Sequence, residues 1–382
     1  MSALLTAAVI LVLWGYILGT VVAVLRFARR RVALPPEQPP VSVLKPLYGA
    51  EPGLYENLLS FVDQDYPAMQ VVFGVRSPSD EALPVARRIV AERPERDIAL
   101  VVDARAGGRN LKIANLSNML PAARHDLLVF ADSDMRVGRS YLATVTAPLR
   151  DPAIGLVTCL YKGLPAEGRW PARLWSRLGA MHINYGFLPS ALMGNALGVG
   201  DGCFGATIAL RRDVLDRIGG LEAVRDELAD DHRMGAAVRE AGLAVALSPY
   251  LVETSVCEPS FKSLWQHELR WARTVRLMAP AGFAGSIITH AVAIGALAVL
   301  VSGLSLTSLG FLAMSCAVRW AAAGLIAGLL RLPTAGLWLL PLRDLLSFAV
   351  FIGGFCGRNV AWRDQLFRIE PGGRIVVDGD GP

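Results

Sequence analysis

The tripeptide Asp132-Ser133-Asp134 directly follows the apolar run LLVFA and is the first candidate for chemistry. Two carboxylates separated by one residue at a strand end can hold Mg²⁺ or Mn²⁺, hard cations that prefer oxygen ligands and also bind phosphates. Such a cation can neutralise a diphosphate leaving group as its bond breaks. A D-x-D tripeptide also arises by chance in a chain of 382 residues, so a polar turn after a strand is the alternative interpretation.

A second acidic pair, Asp230-Asp231, lies in ELADDHRMGAAVREAGL, where the pattern predicts the start of a helix. Aspartate is a preferred N-cap residue, so the pair can serve only to begin the helix. A carboxylate in this place can instead act as a general base that takes a proton from an attacking hydroxyl. Both interpretations hold together if Asp230 caps the helix and Asp231 is the base.

A basic and aromatic segment, SLWQHELRWARTVRL, carries His267, Arg270 and Trp271 just before an apolar region. An amphipathic helix lying in the membrane interface explains this composition. The functional interpretation is that Arg270 clamps a diphosphate and that Trp271 lines a groove for the acceptor.

Short β-rich runs alternate with helix-like stretches between residues 41 and 275, and these elements must position the candidate residues. The runs are VSVLKPL, QVVFGVR, DIALVVD, DLLVFAD, IGLVTCLY and ATIALRR. This alternation predicts an α/β fold with a mostly parallel sheet, helices on both faces and ligands at the carboxyl ends of the strands. Asp80 can accept a hydrogen bond from a uracil N–H and Lys112 can meet a phosphate, although either can equally be an ordinary surface residue.

The composition indicates a water-facing domain joined to lipid-facing segments, because 53% of the residues are hydrophobic and 19% are charged. Residues 2–25 carry no charge and are long enough to span a bilayer as a helix. A cleaved signal peptide is the alternative, but the basic residues follow the apolar run instead of preceding it. The cluster from Arg26 to Arg31 should stay in the cytoplasm together with the domain that follows it.

The C-terminal apolar region predicts two spans, at 286–304 and 308–330, and a third segment at 335–355 that contains Arg343 and Asp344. We expect the third segment to be re-entrant or interfacial, so that its charges reach water or pair. The predicted organisation is an N-terminal membrane helix 1–26, a basic and Pro-rich linker 27–40, a cytoplasmic catalytic domain 41–283 with a juxtamembrane helix 261–278, membrane segments 284–357 and a cytoplasmic tail 358–382.

Two classes of partner are not expected. The net charge is +5, but the basic residues form no long arm, which argues against nucleic-acid binding. The five cysteines form no CxxC pair, which argues against a zinc site and against a disulfide framework.

In their order along the chain, these segments resemble a known family. The resemblance is to glycosyltransferases with a GT-A fold in families 21 and 2, the group that contains the ceramide glucosyltransferases, and in particular to its bacterial hopanoid-biosynthesis-associated branch. It covers residues 40–285 and rests on VSVLKPLYGAEPGLYENLLSFVDQDYP, SPSDEALPVARRIV, NLKIANLSNML, FADSDMRV, FGATIALRRDVLDRIGG, LADDHRMG and HELRW.

The resemblance implies roles for the acidic residues. Asp80 falls on the first motif and would face the uridine. Asp132 and Asp134 fall on the second, D-x-D-like motif and would hold a divalent cation, Mg²⁺ or Mn²⁺, with the donor diphosphate. Asp231 falls on the third motif, the catalytic base, and Lys112 is expected to contact the nucleotide sugar.

The last family motif, (Q/R)xxRW, falls on His267, Arg270 and Trp271, with His267 in place of Gln or Arg. Arg270 is expected to bind the donor, and His267 and Trp271 to line the acceptor cleft with Asp230. The implied reaction is inverting transfer from UDP-N-acetylglucosamine or UDP-glucose to a lipid hydroxyl at the bacterial inner membrane. The acceptor is a hopanoid polyol such as bacteriohopanetetrol or, alternatively, ceramide.

Two other functions are open on the sequence alone. A processive polysaccharide synthase shares the acidic motifs, although such enzymes usually have more membrane helices. A membrane transporter or scaffold without chemistry is the alternative of another class, and the concentration of acidic motifs in the water-facing part argues against it.

Overall fold

The computed structural model describes residues 3–34, 37–199, 202–357, 359–362, 365–369 and 375–376. Pro35 and Pro36 of the predicted linker, and most of the predicted tail 358–382, lie outside the described residues. The chain forms two compact units. We call them the sheet unit, Arg30–Lys162 with Asp201–Ser255, and the helical unit, Met1–Arg29 with Gly163–Gly200 and Val256–Pro382.

Eight strands form the main sheet. They are β1 Val41–Pro46, β2 Met69–Val75, β3 Ile98–Val102, β4 Leu127–Phe130, β5 Met135–Arg136, β6 Ile154–Pro165, β7 Ile208–Arg211 and β8 Ala244–Val256. Their order across the sheet is β3-β2-β1-β4-β7-β6-β8-β5. The four neighbouring strands β3, β2, β1 and β4 are parallel. Strand β7 pairs antiparallel with both β4 and β6, and β5 pairs antiparallel with β8. The predicted α/β fold class is confirmed, and each predicted run contains a strand.

Fourteen α-helices lie within the described residues. They are α1 Ala3–Ala28, α2 Leu54–Val62, α3 Ala82–Glu92, α4 Leu111–Met119, α5 Tyr141–Thr146, α6 Ala172–His182, α7 Leu188–Leu197, α8 Arg212–Arg217, α9 Asp230–Glu240, α10 Phe261–Met278, α11 Pro280–Gly285, α12 Ala291–Val301, α13 Leu306–Leu330 and α14 Leu340–Gly354. Helices α2 to α5, α8 and α9 belong to the sheet unit, and the others belong to the helical unit. Three short strands, Asn359–Trp362, Gln365–Ile369 and Ile375–Val376, form a separate antiparallel sheet.

Alternate residues of the parallel strands pack into two apolar layers. Val43 and Val71 belong to a buried cluster with residues of α2, α3 and α5. Leu44 and Val72 belong to a second cluster with residues of α4, α8 and α9. Side chains of a strand alternate between the two faces of its sheet, so both faces are covered by helices. The carboxyl ends of β1, β2 and β4 then form the edge at which such sheets bind ligands.

Among the described residues of the helical unit, three helices are long and apolar enough to cross a membrane: Ala8–Ala28, Leu306–Leu330 and Leu337–Gly354. Within this unit α1 packs beside α13, where the Trp14 indole donates a hydrogen bond of 3.1 Å to the Ser315 hydroxyl. Leu13, Ile17 and Ala322 form a small buried cluster between helices of this unit.

The predicted span 286–304 differs from the structure. A 3₁₀ turn, Ser286–Thr289, precedes α12, and the pair Pro280–Thr289 and Ala291–Val301 is bent by 69°. Together the two pieces make either one broken span or a re-entrant loop. A hydropathy pattern measures apolar length and carries no information about where the helix axis turns.

The two charges predicted in segment 335–355 are paired inside the helical unit. Arg343 donates to both carboxylate oxygens of Glu268 at 2.7 Å, and both side chains are only 2% exposed. Asp344 accepts from Arg319 at 2.9 Å. A buried charge is tolerated when its partner and hydrogen bonds are complete. The sequence predicted that the charges of Arg343 and Asp344 would either reach water or pair, and in the structure both are paired.

Candidate active site

The Asp132-Ser133-Asp134 turn joins β4 to β5 at the carboxyl edge of the parallel strands. The Asp132 backbone carbonyl accepts a hydrogen bond from Nζ of Lys45, a fully buried residue of β1. The Thr254 hydroxyl, on β8, donates to Asp134 Oδ2 over 2.8 Å. Two other strands therefore fix the turn, one through its backbone and one through its second carboxylate.

The two carboxylates of this turn are electrostatically crowded. Burial raises the pKa of Asp134, and so does the neighbouring Asp132 carboxylate, while the Thr254 hydrogen bond and Lys45 lower it. Burial lowers the pKa of Lys45 to about 7 against the opposite effect of both carboxylates. The Lys45 ammonium also lies 3.7 Å from the centroid of the Phe61 ring, a cation–π contact.

The start of α4 positions Lys112. Asn110 is its N-cap, and the Asn110 side chain accepts hydrogen bonds from the backbone N–H of Lys112 and Ile113. Lys112 Nζ lies 2.7 Å from Asp132 Oδ1 and 3.5 Å from Asp230 Oδ2. Burial alone lowers the pKa of Lys112, but the nearby carboxylates outweigh burial and raise it, so the side chain is an ammonium at neutral pH.

The acidic pair begins α9, and here the predicted cap is wrong. Ala229 occupies the N-cap position and Asp230 is the first helical residue. The Asp230 carboxylate points to the start of α4 instead, where it accepts from the Asn110 amide at 3.2 Å. The sequence could not reveal this because the partners lie 118 and 120 residues away.

Asp231 is held by two backbone donors. The Gly205 N–H donates to its Oδ2 at 2.7 Å and the His232 N–H donates to its Oδ1 at 2.8 Å. Burial raises the pKa of Asp231 to about 6, with a further contribution from Asp230, while Lys112 lowers it. A fixed carboxylate with a pKa near neutrality has the properties of a general base.

Gly205 marks the point at which these groups converge. A Cβ added there would lie 3.1 Å from Lys112 Nζ and 3.4 Å from both Asp132 Oδ2 and Asp231 Oδ2. A cation from α4, a carboxylate from the β4 turn and a carboxylate from α9 thus surround one small space. Glycine leaves this space open, since any side chain would enter it.

Asp80 lies in the turn between β2 and α3. Its Oδ1 accepts hydrogen bonds of 2.9 Å from the backbone N–H of Gly49 and of Ala82. The carboxylate therefore ties the loop after β1 to the start of α3. Its contact with a uridine stays a prediction.

His267, Arg270 and Trp271 lie on α10 of the helical unit. His267 Nδ1 is 2.8 Å from Glu258 Oε1, and the rings of His267 and Trp271 meet edge-on with centroids 4.3 Å apart. Asp230, by contrast, belongs to the sheet unit. The grouping of these residues in one acceptor cleft stays a prediction, as does binding of the donor by Arg270.

The donor set of the Asp132-Ser133-Asp134 turn fits a hard divalent cation. Among the described residues, no group of three or more His, Cys, Asp or Glu side chains could hold a metal ion. A cation between Asp132 and Asp134 therefore needs further oxygens from a ligand, and phosphate oxygens are suitable. Burial and the Asp132 carboxylate raise the pKa of Asp134, and a dication would favour the ionised form of both carboxylates.

Four residues of this region were not predicted as site residues: Lys45, Asn110, Gly205 and Thr254. Only Lys45 carried a signal, because a lysine inside the apolar run VSVLKPL is unusual for a buried strand. The other three are common residue types whose importance depends on contacts between distant segments.

Comparison with known proteins gives a consistent result. The family described as "Glycosyl transferase family 21" matches residues 7–375. The chain is 24% identical to ceramide glucosyltransferase 1 of Caenorhabditis elegans over 355 residues, 89% of this chain and 74% of the relative. It is also 24% identical to ceramide glucosyltransferase 3 of the same organism over 353 residues, 88% of this chain and 74% of the relative.

A solved structure with a similar fold is the mannosyltransferase PcManGT from Pyrobaculum calidifontis in complex with GDP-Man and Mn²⁺. It superposes with a TM-score of 0.51 at 22% sequence identity and covers 91% of this chain and 96% of its own. This likeness concerns the fold and supports the GT-A class.

Proposed function

Because the chain belongs to glycosyltransferase family 21, a family of sugar-transferring enzymes, we propose that it transfers a sugar from a UDP-sugar to a hydroxyl of a membrane lipid. The observation that carries the proposal is the convergence of Lys112, Asp132 and Asp231 around Gly205. A phosphate-binding cation, a metal-binding carboxylate and a general base are the groups that this reaction requires.

In the proposed mechanism Asp231 takes the proton of the acceptor hydroxyl, whose oxygen attacks the anomeric carbon. The bond from that carbon to the diphosphate breaks on the opposite side, UDP leaves and the configuration inverts. The Gly205 and His232 N–H groups keep the Asp231 carboxylate oriented for the proton transfer. Its pKa of about 6 leaves it ionised at neutral pH yet basic enough to act.

The donor is bound by side chains of the sheet unit. Lys112 offers its ammonium to the diphosphate, and Asp80 faces the uridine. A divalent cation, Mg²⁺ or Mn²⁺, held by Asp132 and Asp134 would neutralise the charge of the leaving diphosphate. The solved mannosyltransferase of similar fold contains Mn²⁺, which supports a divalent cation here.

A lipid acceptor is supported by the names of the relatives and by the apolar helices. Three helices can span a membrane by length and composition. A lipid leaves the bilayer only at a cost of about 0.8 kcal/mol per CH₂ group, so an enzyme acting on it works best at the membrane surface. The basic cluster from Arg26 to Arg31 supports a catalytic domain on the cytoplasmic side, in bacteria at the inner membrane.

Two acceptors are supported by different observations. The curated relatives are ceramide glucosyltransferases, which favours ceramide and UDP-glucose. The motif resemblance to the hopanoid-associated branch favours a hopanoid polyol and UDP-N-acetylglucosamine. Both acceptors have an apolar body and a terminal hydroxyl, so the mechanism above serves either.

The experiment is mass spectrometry of total lipids from a bacterium that expresses the chain and is supplied with ceramide and with a hopanoid polyol. We expect one new lipid, heavier by one hexose or one N-acetylhexosamine. The variant Asp231→Asn should abolish it, whereas Asp216→Asn, at an exposed position of α8, should not. A ladder of sugars would indicate a polysaccharide synthase, and an unchanged lipid profile with folded protein in the membrane would contradict the proposal.

A further inference from the structure

Glu258 is a buried carboxylate that the proposed mechanism does not use. It is 4% exposed and lies just before α10 in the helical unit. The Ser263 hydroxyl donates to its Oε2 at 2.5 Å, and its own backbone N–H donates to the Ser176 hydroxyl at 2.9 Å. Its other oxygen, Oε1, lies 2.8 Å from Nδ1 of His267. Both oxygens of this carboxylate therefore have a partner, and its position is fixed.

The contact determines which nitrogen of His267 is available. Burial raises the pKa of Glu258, but the hydrogen bonds from His267 and Ser263 outweigh it and the pKa is lowered. At neutral pH Glu258 is thus a carboxylate, which can only accept, so Nδ1 of His267 must carry the proton. Nε2 is then the ring nitrogen that is left for a ligand. The His267 side chain is 38% exposed, so a ligand can reach the ring.

An aromatic neighbour completes the surroundings of His267. Trp271, one helical turn further along α10, meets its ring with centroids 4.3 Å apart, and the His182 ring stacks on Trp271 at 6.2 Å. Indole surface packs against the C–H groups of a polyol, while an imidazole nitrogen bonds to its hydroxyls. A lipid hydroxyl can both donate and accept a hydrogen bond, so it suits Nε2 in either role.

We propose that Glu258 is a positioning residue, which orients the His267 imidazole so that Nε2 forms a hydrogen bond with a hydroxyl of the acceptor lipid. The inference rests on the proposed function, since it assigns a contact to the same acceptor. It also gives a reason for a histidine at a position where the related pattern has Gln or Arg: the imidazole has a dedicated carboxylate to hold it. Glu258 and His267 should then act as one unit.

The test is steady-state kinetics of the full-length protein in detergent with a short-chain ceramide and a hopanoid tetrol as acceptors. Glu258→Met removes the acceptor of the Nδ1 hydrogen bond, and we expect about a tenfold increase in the acceptor KM, a factor that corresponds to one lost hydrogen bond. The donor KM should stay within about twofold. Glu258→Gln, whose amide oxygen can still accept from Nδ1, should recover most of the loss. Glu95→Gln, an exposed position, is the surface control.

The double variant separates positioning from general packing. In the His267→Gln background, Glu258→Met should raise the acceptor KM by less than about twofold, because the two residues act together. If the effects of the two substitutions on the acceptor KM multiply, the proposal is overturned. A change in the donor KM in place of the acceptor KM would also overturn it and would indicate that His267 contacts the diphosphate.

A binding measurement keeps this inference distinct from the proposed function. Microscale thermophoresis with the same two lipids needs no turnover, and Glu258→Met should weaken binding of one of them about tenfold. If the wild-type chain transfers no sugar but shows this loss of binding, the proposed reaction fails and the role of Glu258 stands. If wild type and variant bind alike, or neither binds, the role of Glu258 is refuted.

Discussion

Replacing Gly205 with alanine tests whether the open space between the charged groups is the catalytic centre. The new methyl carbon would lie 3.1 Å from Lys112 Nζ and 3.4 Å from the Asp132 and Asp231 oxygens. The two oxygens are at ordinary van der Waals distance, but the contact with Lys112 is too close, so its ammonium must retreat by a few tenths of an ångström. Such overpacking costs about 1–3 kcal/mol of folding free energy. Alanine keeps the backbone N–H, so the hydrogen bond to Asp231 survives.

The effect on turnover should far exceed the effect on stability. A misplacement of about 1 Å can cost about 10²-fold in rate, so we expect the smaller shift, together with a methyl in the space for a phosphate or sugar oxygen, to cost at least about tenfold. The assay is UDP release with acceptor present, next to a thermal melt of the purified protein. The matched control is Gly107→Ala, because a Cβ at Gly107 would meet no described atom within 4 Å. Gly205→Ala activity within about threefold of wild type, or an equal loss in the two variants, would refute the reasoning.

Variants of Asp231, Lys112 and Asp134, together with the pH dependence of the wild type, test other parts of the candidate site. Asp231→Asn should lower turnover by at least about 10²-fold and leave UDP-sugar binding intact, which calorimetry can check. If this variant loses both binding and folding, the residue has a structural role. Because the folded pKa of Asp231 is raised to about 6, the wild-type rate should rise with pH through about 6 and then level off, and a flat profile would exclude this base. Because the folded pKa of Asp231 is raised, the contribution of this carboxyl group to the free energy of unfolding is greatest at acid pH and falls as pH rises through about 6. The free energy of urea unfolding of Asp231→Asn should therefore depend less on pH than that of the wild type. Lys112→Met leaves the Asp132 and Asp230 carboxylates uncompensated and should cost about 3–5 kcal/mol in urea unfolding, with Lys112→Arg much milder. Asp134→Ala should abolish turnover and weaken Mn²⁺ binding measured by electron paramagnetic resonance, while the protein stays folded and membrane-bound.

The parallel half of the sheet was predictable because each strand there is a short apolar run with turn residues at its ends. The position of Asp132 and Asp134 at a carboxyl edge followed from that alternation. The antiparallel half was less accessible: β8 is a long strand with polar residues, and β5 has only two residues. Their pairing, which brings Thr254 to Asp134, depends on a contact across 120 residues. Local patterns contain no such information.

Roles that depend on a neighbour's charge were the hardest to predict. Asp230 occupies a sequence position typical of a helix cap, yet its carboxylate accepts a hydrogen bond from Asn110 and pairs with the Lys112 ammonium. Lys45 lies in an apolar strand, and only the fold shows that its side chain donates to the backbone of the Asp132-Ser133-Asp134 turn. The raised pKa of Asp231 likewise arises from burial and from the Asp230 carboxylate. The sequence alone does not show how deeply a carboxylate is buried or how close its neighbour lies.

The paired charges of the helical unit have a consequence for how the chain is inserted into a membrane. Helix α14 brings Arg343 and Asp344, while their partners Glu268 and Arg319 lie on α10 and α13. A charge left alone in the apolar part of a bilayer costs several kcal/mol, so Arg319 on the candidate span α13 and the two charges of α14 are tolerated there only as pairs. A chain without α14 would leave Glu268 and Arg319 without these partners, so we expect α10 and α13 to depend on α14 for their stability.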